Sequence, residues 1–125
     1  MQYVVCAAVP FSDDDSFMLV SQTSKLAVLR FTEFVNAEYG DKGVLAYSIH
    51  PGAVESDMTS TIPDDSKGFL VDAPELAAHT ILWLVKERRD WLAGRFVDCG
   101  WDVEALLAKK QEIVDGDKLK VRMVV

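Results

Sequence analysis

Ser21 and Lys25 stand four residues apart in the segment Ser21-Gln22-Thr23-Ser24-Lys25. Four residues make about one turn of a helix, so on a helix both side chains leave one face. A cation held beside a hydroxyl favours the oxyanion and draws the hydroxyl pKa down. Such a pair is the skeleton of a proton-transfer site, provided that the hydroxyl is acidic enough and long enough to reach. A phenol, with an unperturbed pKa of about 10, is within range of such tuning. A serine hydroxyl is a far weaker acid on a shorter side chain.

The other residues that could do chemistry have plainer readings. His50 directly precedes Pro51-Gly52 at the end of an apolar run and reads as a packed histidine. His79 has no partner at metal-ligand spacing. Asp13, Asp14 and Asp15 lack the alternating oxygen ligands and the glycine of a calcium loop. They read as a solvated loop leading into a helix N-terminus, where carboxylates suit the dipole. No metal site is expected. Cys6 and Cys99 are isolated thiols without CxxC spacing and read as reduced. Trp83, Trp91 and Trp101 read as core or rim packing.

The elements that must position Ser21 and Lys25 follow from the pattern. Met1–Val9 is apolar and rich in β-branched and small residues, which predicts a short buried strand. From Phe17 to Tyr39 the apolar residues keep a helical period. Leu26, Val28, Leu29, Phe31, Phe34 and Val35 form one broad face, with Glu33, Asn36 and Glu38 largely on the other. Val44–His50 is a second buried strand closed by Pro51-Gly52. Residues 53–69 read as a loop with at most one short helix. Asp72 and Glu75 form a capping box for a mostly buried helix that follows. Gly94–Gly100 holds a third short strand, and residues 102–116 a further amphipathic helix with Asp102 as N-cap. Leu119–Val125 reads as a terminal strand or an extended tail. Alternating short apolar strands and helices predict an α/β fold with a short parallel sheet of about three strands and packed helices. A single domain over 1–125 is expected.

Composition bounds the partners. The chain has 125 residues, half of them hydrophobic, and a net charge of −7. That charge argues against nucleic acid and against anionic membrane surfaces. No apolar run approaches the roughly 20 residues of a membrane span. Met1 is followed by a strand-like run without a basic region or cleavage site, so a cytoplasmic location is expected.

Four segments, in this order, carry a resemblance: Val4–Val9, Ser21–Val44, Ala46–Met58 and Leu92–Leu106. Together they resemble the C-terminal half of the short-chain dehydrogenase/reductases, and the tail resembles fungal members. The resemblance implies a partial Rossmann-like fold and NAD(P)-dependent oxidoreduction of carbonyl or alcohol groups. It places Lys25 at the family's catalytic and ribose-binding lysine. It places Pro51, Gly52, Val54 and Ser56 on the loop that holds the nicotinamide. The family's catalytic tyrosine position holds Ser21, and its catalytic serine position holds Ala7 or Ala8. Tyr3, Tyr39 and Tyr47 fall at the wrong places to substitute, and Ser12 falls inside a loop. The glycine-rich dinucleotide turn does not occur in the sequence. The resemblance therefore implies a truncated, catalytically impaired relative, with NAD(P) binding by this chain in question. The alternative it leaves open is an interaction module. The family pairs subunits through the 17–39 helix, so this chain would form a homodimer or dock on an intact relative.

Overall fold

The computed structural model describes residues 2–7, 18–61 and 64–125. Three parallel strands, β1 (Gln2–Ala7), β2 (Val44–His50) and β3 (Phe96–Asp98), form a sheet in the order β1-β2-β3. Gln2 lies opposite Val44, and Ser48 opposite Phe96. Helix α1 (Met18–Tyr39) connects β1 to β2, and α2 (Pro74–Lys86) lies between β2 and β3. Two short helices, α3 (Val103–Ala108) and α4 (Lys110–Asp115), follow β3. The α/β class and the three-stranded parallel sheet are as the pattern predicts.

Alternate residues of β2 point to opposite faces, and each face is covered by a different helix. Leu45, Tyr47 and Ile49 join Leu84 of α2, Leu92, Val97 and Cys99 in the apolar core. Ser48, on the other face, donates a 2.9 Å hydrogen bond to Thr32 of α1. Both crossovers move one place in the same direction across the sheet, yet their helices lie on opposite faces. The two crossovers therefore have opposite hands, and one departs from the right-handed preference of parallel connections.

Helix α1 packs differently from its apolar pattern. Thr32 is fully buried, and Asn36 faces the sheet, whereas Leu26, Phe31 and Phe34 are 47%, 60% and 52% exposed. The reason lies in β2. Ser48 donates its backbone N–H to Arg95, so this side of β2 looks toward β3. β3 begins only opposite Ser48, leaving Ala46 without a strand partner on that side. The Asn36 carboxamide takes the place of a peptide there. Its Nδ2 donates to the Ala46 carbonyl at 2.8 Å, and its Oδ1 accepts the Ala46 N–H at 3.1 Å. The Ala46 carbonyl also accepts the Gly94 N–H at 2.8 Å, so the group that depends on Asn36 is the Ala46 N–H; leaving it buried and unpaired would cost about 1–3 kcal/mol.

Three further expectations are corrected. Asp72 does not cap α2: the N-cap is Ala73, with no side-chain hydrogen bond, because the Asp72 carboxylate is engaged by Ala53. The helix over 102–116 is two helices, broken at Lys109, whose φ of −91° and ψ of 3° leave the helical region. Asp102 does cap α3, accepting the Ala105 N–H at 2.7 Å. The loop after β2 forms two 3-10 turns, Asp57–Thr61 and Asp64–Phe69, rather than one short helix. Of the two alternatives for residues 119–125, the strand does not form and the tail remains; its Leu119 carbonyl accepts the Phe96 N–H at 2.8 Å on the outer edge of β3.

Candidate functional site

Ser21 and Lys25 both lie in α1, one turn apart, as the spacing requires. α1 runs back along β2, with Asn36 beside Ala46 and Thr32 beside Ser48. Its first turns, which carry Ser21 and Lys25, therefore lie toward the C-terminal end of β2. That end of a parallel sheet is where α/β folds place their ligands. Ala7 ends β1, opposite Ile49. Ala8, Ser12 and the three aspartates 13–15 lie outside the described residues.

The Pro51-Gly52 loop leaves β2 through an unusual backbone. Gly52 has φ of +95°, a conformation that side-chain-bearing residues rarely adopt. A Cβ there would sit 2.8 Å from Asp72 Oδ2. Asp72 uses that closeness to fasten the loop. Its Oδ2 accepts the Ala53 N–H at 2.7 Å, and its own N–H donates to the Ala53 carbonyl at 3.0 Å. Val54 is half-buried and Ser56 is exposed. The Ser56 N–H donates to Thr59 Oγ1 at 2.8 Å, and the Thr59 hydroxyl returns a bond to the Ser56 carbonyl at 2.9 Å. Asp72 is thus part of the loop's architecture, and the sequence hid it by offering a helix cap at the same residue.

Lys25 is half-buried and lines a cleft of about 530 Å³ between α1, the start of β3 and the C-terminal tail. Pro51, Gly52, Val54 and Ser56 are not among the walls of that cleft.

The tail is held over the cleft by charge. Glu33, whose side chain is only 10% exposed, accepts the Val121 N–H at 3.1 Å and pairs with Arg122 at 2.6 Å and Arg30 at 2.7 Å. Asp117 pairs with Lys120 at 2.6 Å and Arg122 at 2.5 Å. Hydrogen bonds from Lys120 and Arg122 draw the Asp117 carboxyl down to about 2. The same partnership, with Glu33 first, raises the Arg122 guanidinium. The buried Arg95 donates to the Lys118 carbonyl from below. None of these partners was singled out in the sequence, because their pairings span as many as 89 positions and no local pattern announces them.

The remaining candidates are structural. His50 is 8% exposed, the packed histidine expected. His79 is exposed, and no group of three potential metal ligands occurs among the described residues. Trp83 lies under the Arg89 guanidinium at 3.8 Å, and Trp101 meets Phe96 edge-on at 5.9 Å. No helix among the described residues is long and apolar enough to cross a membrane.

Comparison with known proteins agrees with the resemblance. Short chain dehydrogenase mpl6 of Monascus purpureus and short chain dehydrogenase citE of Monascus ruber are each 55% identical over 103 residues. Short chain dehydrogenase pigC of Monascus ruber is 43% identical over 106 residues. Each match takes in 82% of this chain and 35% of the relative, so the chain spans about a third of the length of the curated relatives it matches. No family model matches. Among solved structures, the NADPH bound carbonyl reductase from chicken fatty liver superposes with a TM-score of 0.60 at 18% identity. That superposition covers 78% of this chain and 40% of the reductase. At that identity the likeness speaks for the fold, a partial Rossmann-like α/β unit.

Proposed function

We propose that this chain, similar over four fifths of its length to fungal short chain dehydrogenases, is the C-terminal half of a short-chain dehydrogenase/reductase scaffold with an incomplete catalytic set. The family activity is NAD(P)-dependent oxidoreduction of carbonyl or alcohol groups. The observation that carries the reading is Ser21, one turn before Lys25 on α1, where the family carries its tyrosine. In this reading Lys25 would tune a proton donor one turn before it, but a serine oxygen is too weak an acid and too short to serve at a substrate oxygen.

The residues present also fit a nicotinamide nucleotide poorly. The space beside Gly52 is taken by the Asp72 carboxylate. The contacts that the resemblance assigns to the diphosphate lie in a glycine-rich turn that these 125 residues do not contain. In this reading the chain neither binds NAD(P) nor transfers hydride on its own. Isothermal titration with NADP and NAD tests this, with no saturable heat expected. Dissociation constants in the low micromolar range overturn it. Ser21→Tyr is expected to leave the chain inactive with NADPH and a generic aldehyde, since one phenol restores neither the strand serine nor the nucleotide site.

A second reading is favoured by one feature, the exposed Leu26, Phe31 and Phe34 on α1. This stripe would pair with α1 of a second copy or of an intact relative, making the chain an interaction module.

A further inference from the structure

The cleft that Lys25 opens into is unlike an ordinary surface groove. Its walls include Leu26, Leu29, Phe96, Leu119 and Val121, an apolar lining drawn from α1, β3 and the tail. Its volume of about 530 Å³ lies within the usual range for small-molecule sites. Three cationic side chains reach it: Lys25, Lys120 and Arg122. Lys120 is neutralised by Asp117, and Arg122 by Asp117 and Glu33. Glu33, the acidic residue in the lining, is in turn answered by Arg30 and Arg122 and by the Val121 N–H. Lys25 forms no hydrogen bond or ion pair with any other described residue. Among the described residues, Lys25 is therefore the cation in this lining that no carboxylate holds.

We propose that the cleft between α1 and the C-terminal tail binds a small apolar molecule ending in a single carboxylate, with the carboxylate on Lys25 and the hydrocarbon against Leu26, Leu29, Phe96 and Leu119. An ammonium half-removed from water gains most from an anion it can desolvate together with an apolar body. Lys120 and Arg122 are held in place by Asp117 and Glu33, so Lys25 is the cation free to turn to the ligand. The ion pairs of Glu33 and Asp117 act as a clasp that holds the tail against the ligand. None of Pro51, Gly52, Val54 and Ser56 lines this cleft, and the ligand proposed for it is not a nucleotide.

Decanoate, in the absence of nucleotide, is the probe, with decylamine and decanol as matched controls. Binding is followed by amide chemical shifts on the full chain. Saturable decanoate shifts are expected at Leu26, Leu29, Phe96 and Leu119. None is expected at Trp101 and Leu106, which line the second cleft of about 500 Å³. Lys25→Gln should weaken decanoate about tenfold, the size of one charge-assisted hydrogen bond, and leave decanol unchanged. A melt of the variant matching the parent separates this loss from unfolding. Arg122→Ala, which opens the clasp while leaving Lys25 in place, should weaken decanoate and decanol alike. Equal binding of decanoate and decylamine overturns the proposal. So do shifts centred on the second cleft, or a Lys25→Gln chain that binds decanoate as tightly as the parent.

Discussion

The Asp72 carboxylate occupies the place that a side chain on Gly52 would need, 2.8 Å from its Cβ position. The two residues are far apart in the chain but form one device. Gly52 supplies a φ of +95°, and Asp72 fills the vacated space and fastens Ala53. Gly52→Ala meets both the unfavourable backbone and the carboxylate, and is expected to cost about 1–3 kcal/mol. Urea unfolding would measure it. Asp72→Ala should rescue part of that loss in the double variant, because it removes the clash. Strict additivity of the two changes would show that they do not share a device.

Asn36 should matter more than any exposed apolar residue on α1. Its Oδ1 accepts the N–H of the fully buried Ala46, while the Ala46 carbonyl is shared between Asn36 Nδ2 and the Gly94 N–H. Asn36→Ala is expected to destabilise by about 1–3 kcal/mol, the cost of leaving the buried Ala46 N–H unpaired. Phe31→Ser, at a position 60% exposed, should cost less than about 1 kcal/mol. Thermal melts of the two variants decide the order, and a reversed order would return α1 to the orientation its apolar pattern suggests.

That contrast marks how far the sequence could be read. The three strands, the helices α1 and α2 and the Asp102 cap were legible because they rest on local period and local capping chemistry. The inward face of α1 was not. It is set by an unpaired peptide on β2, and no one-dimensional pattern shows where β3 will begin. Asp72 was legible as a hydrogen-bonding aspartate but assigned to the nearer acceptor problem, the helix start, when the loop at Ala53 lay nearer in space. Ser21 and Lys25 were placed correctly on one helix by their spacing alone.

The clasp on the tail should open in acid. The carboxyl of Asp117 is held at about 2, below its ordinary 3.8, by Lys120 and Arg122. A depressed folded value means that its stabilisation is complete above the ordinary value and fades as pH falls through the folded one. Tail amides of Val121 and Arg122 should keep their shifts at neutral pH and move toward random-coil positions between about pH 4 and pH 2. Asp117→Asn should show partial release already at neutral pH. Shifts that stay flat down to the lower limit would mean that the backbone bonds hold the tail without Asp117.

Cys99 should be inert until the chain unfolds. It is 3% exposed, and burial raises its thiol first, with Asp98 adding to the rise and a hydrogen bond from Thr80 opposing it. A raised folded value favours the neutral thiol, so the stability linked to it is full below the ordinary 9.0 and is lost as pH rises beyond it. Thiolates are the reactive species. Alkylation by iodoacetamide at mildly alkaline pH, read at Cys99 by peptide mass, should be slow in buffer and fast in denaturing urea. Equal rates in the two would place Cys99 at an open surface.

The apolar stripe on α1 sets the last expectation. Leu26, Phe31 and Phe34 are about half exposed, and Phe34 carries the Arg30 guanidinium 4.9 Å from its ring centre. One guanidinium over one ring is worth about 0.5–1 kcal/mol at an exposed site and does not remove the patch from water. Contiguous apolar patches above a few hundred Å² are uncommon on monomers. β1 adds to the tendency, since among the described residues it pairs with β2 alone and leaves its other edge open. The net charge of −7 opposes association only over about 8 Å at physiological salt. Sedimentation should therefore show concentration-dependent dimers, and Leu26→Lys with Phe34→Glu should shift them to monomers without lowering the melting temperature. A parent chain that stays monomeric at high micromolar concentration removes the stripe as an interface. Dimers that persist in the double variant transfer the contact to the edge of β1.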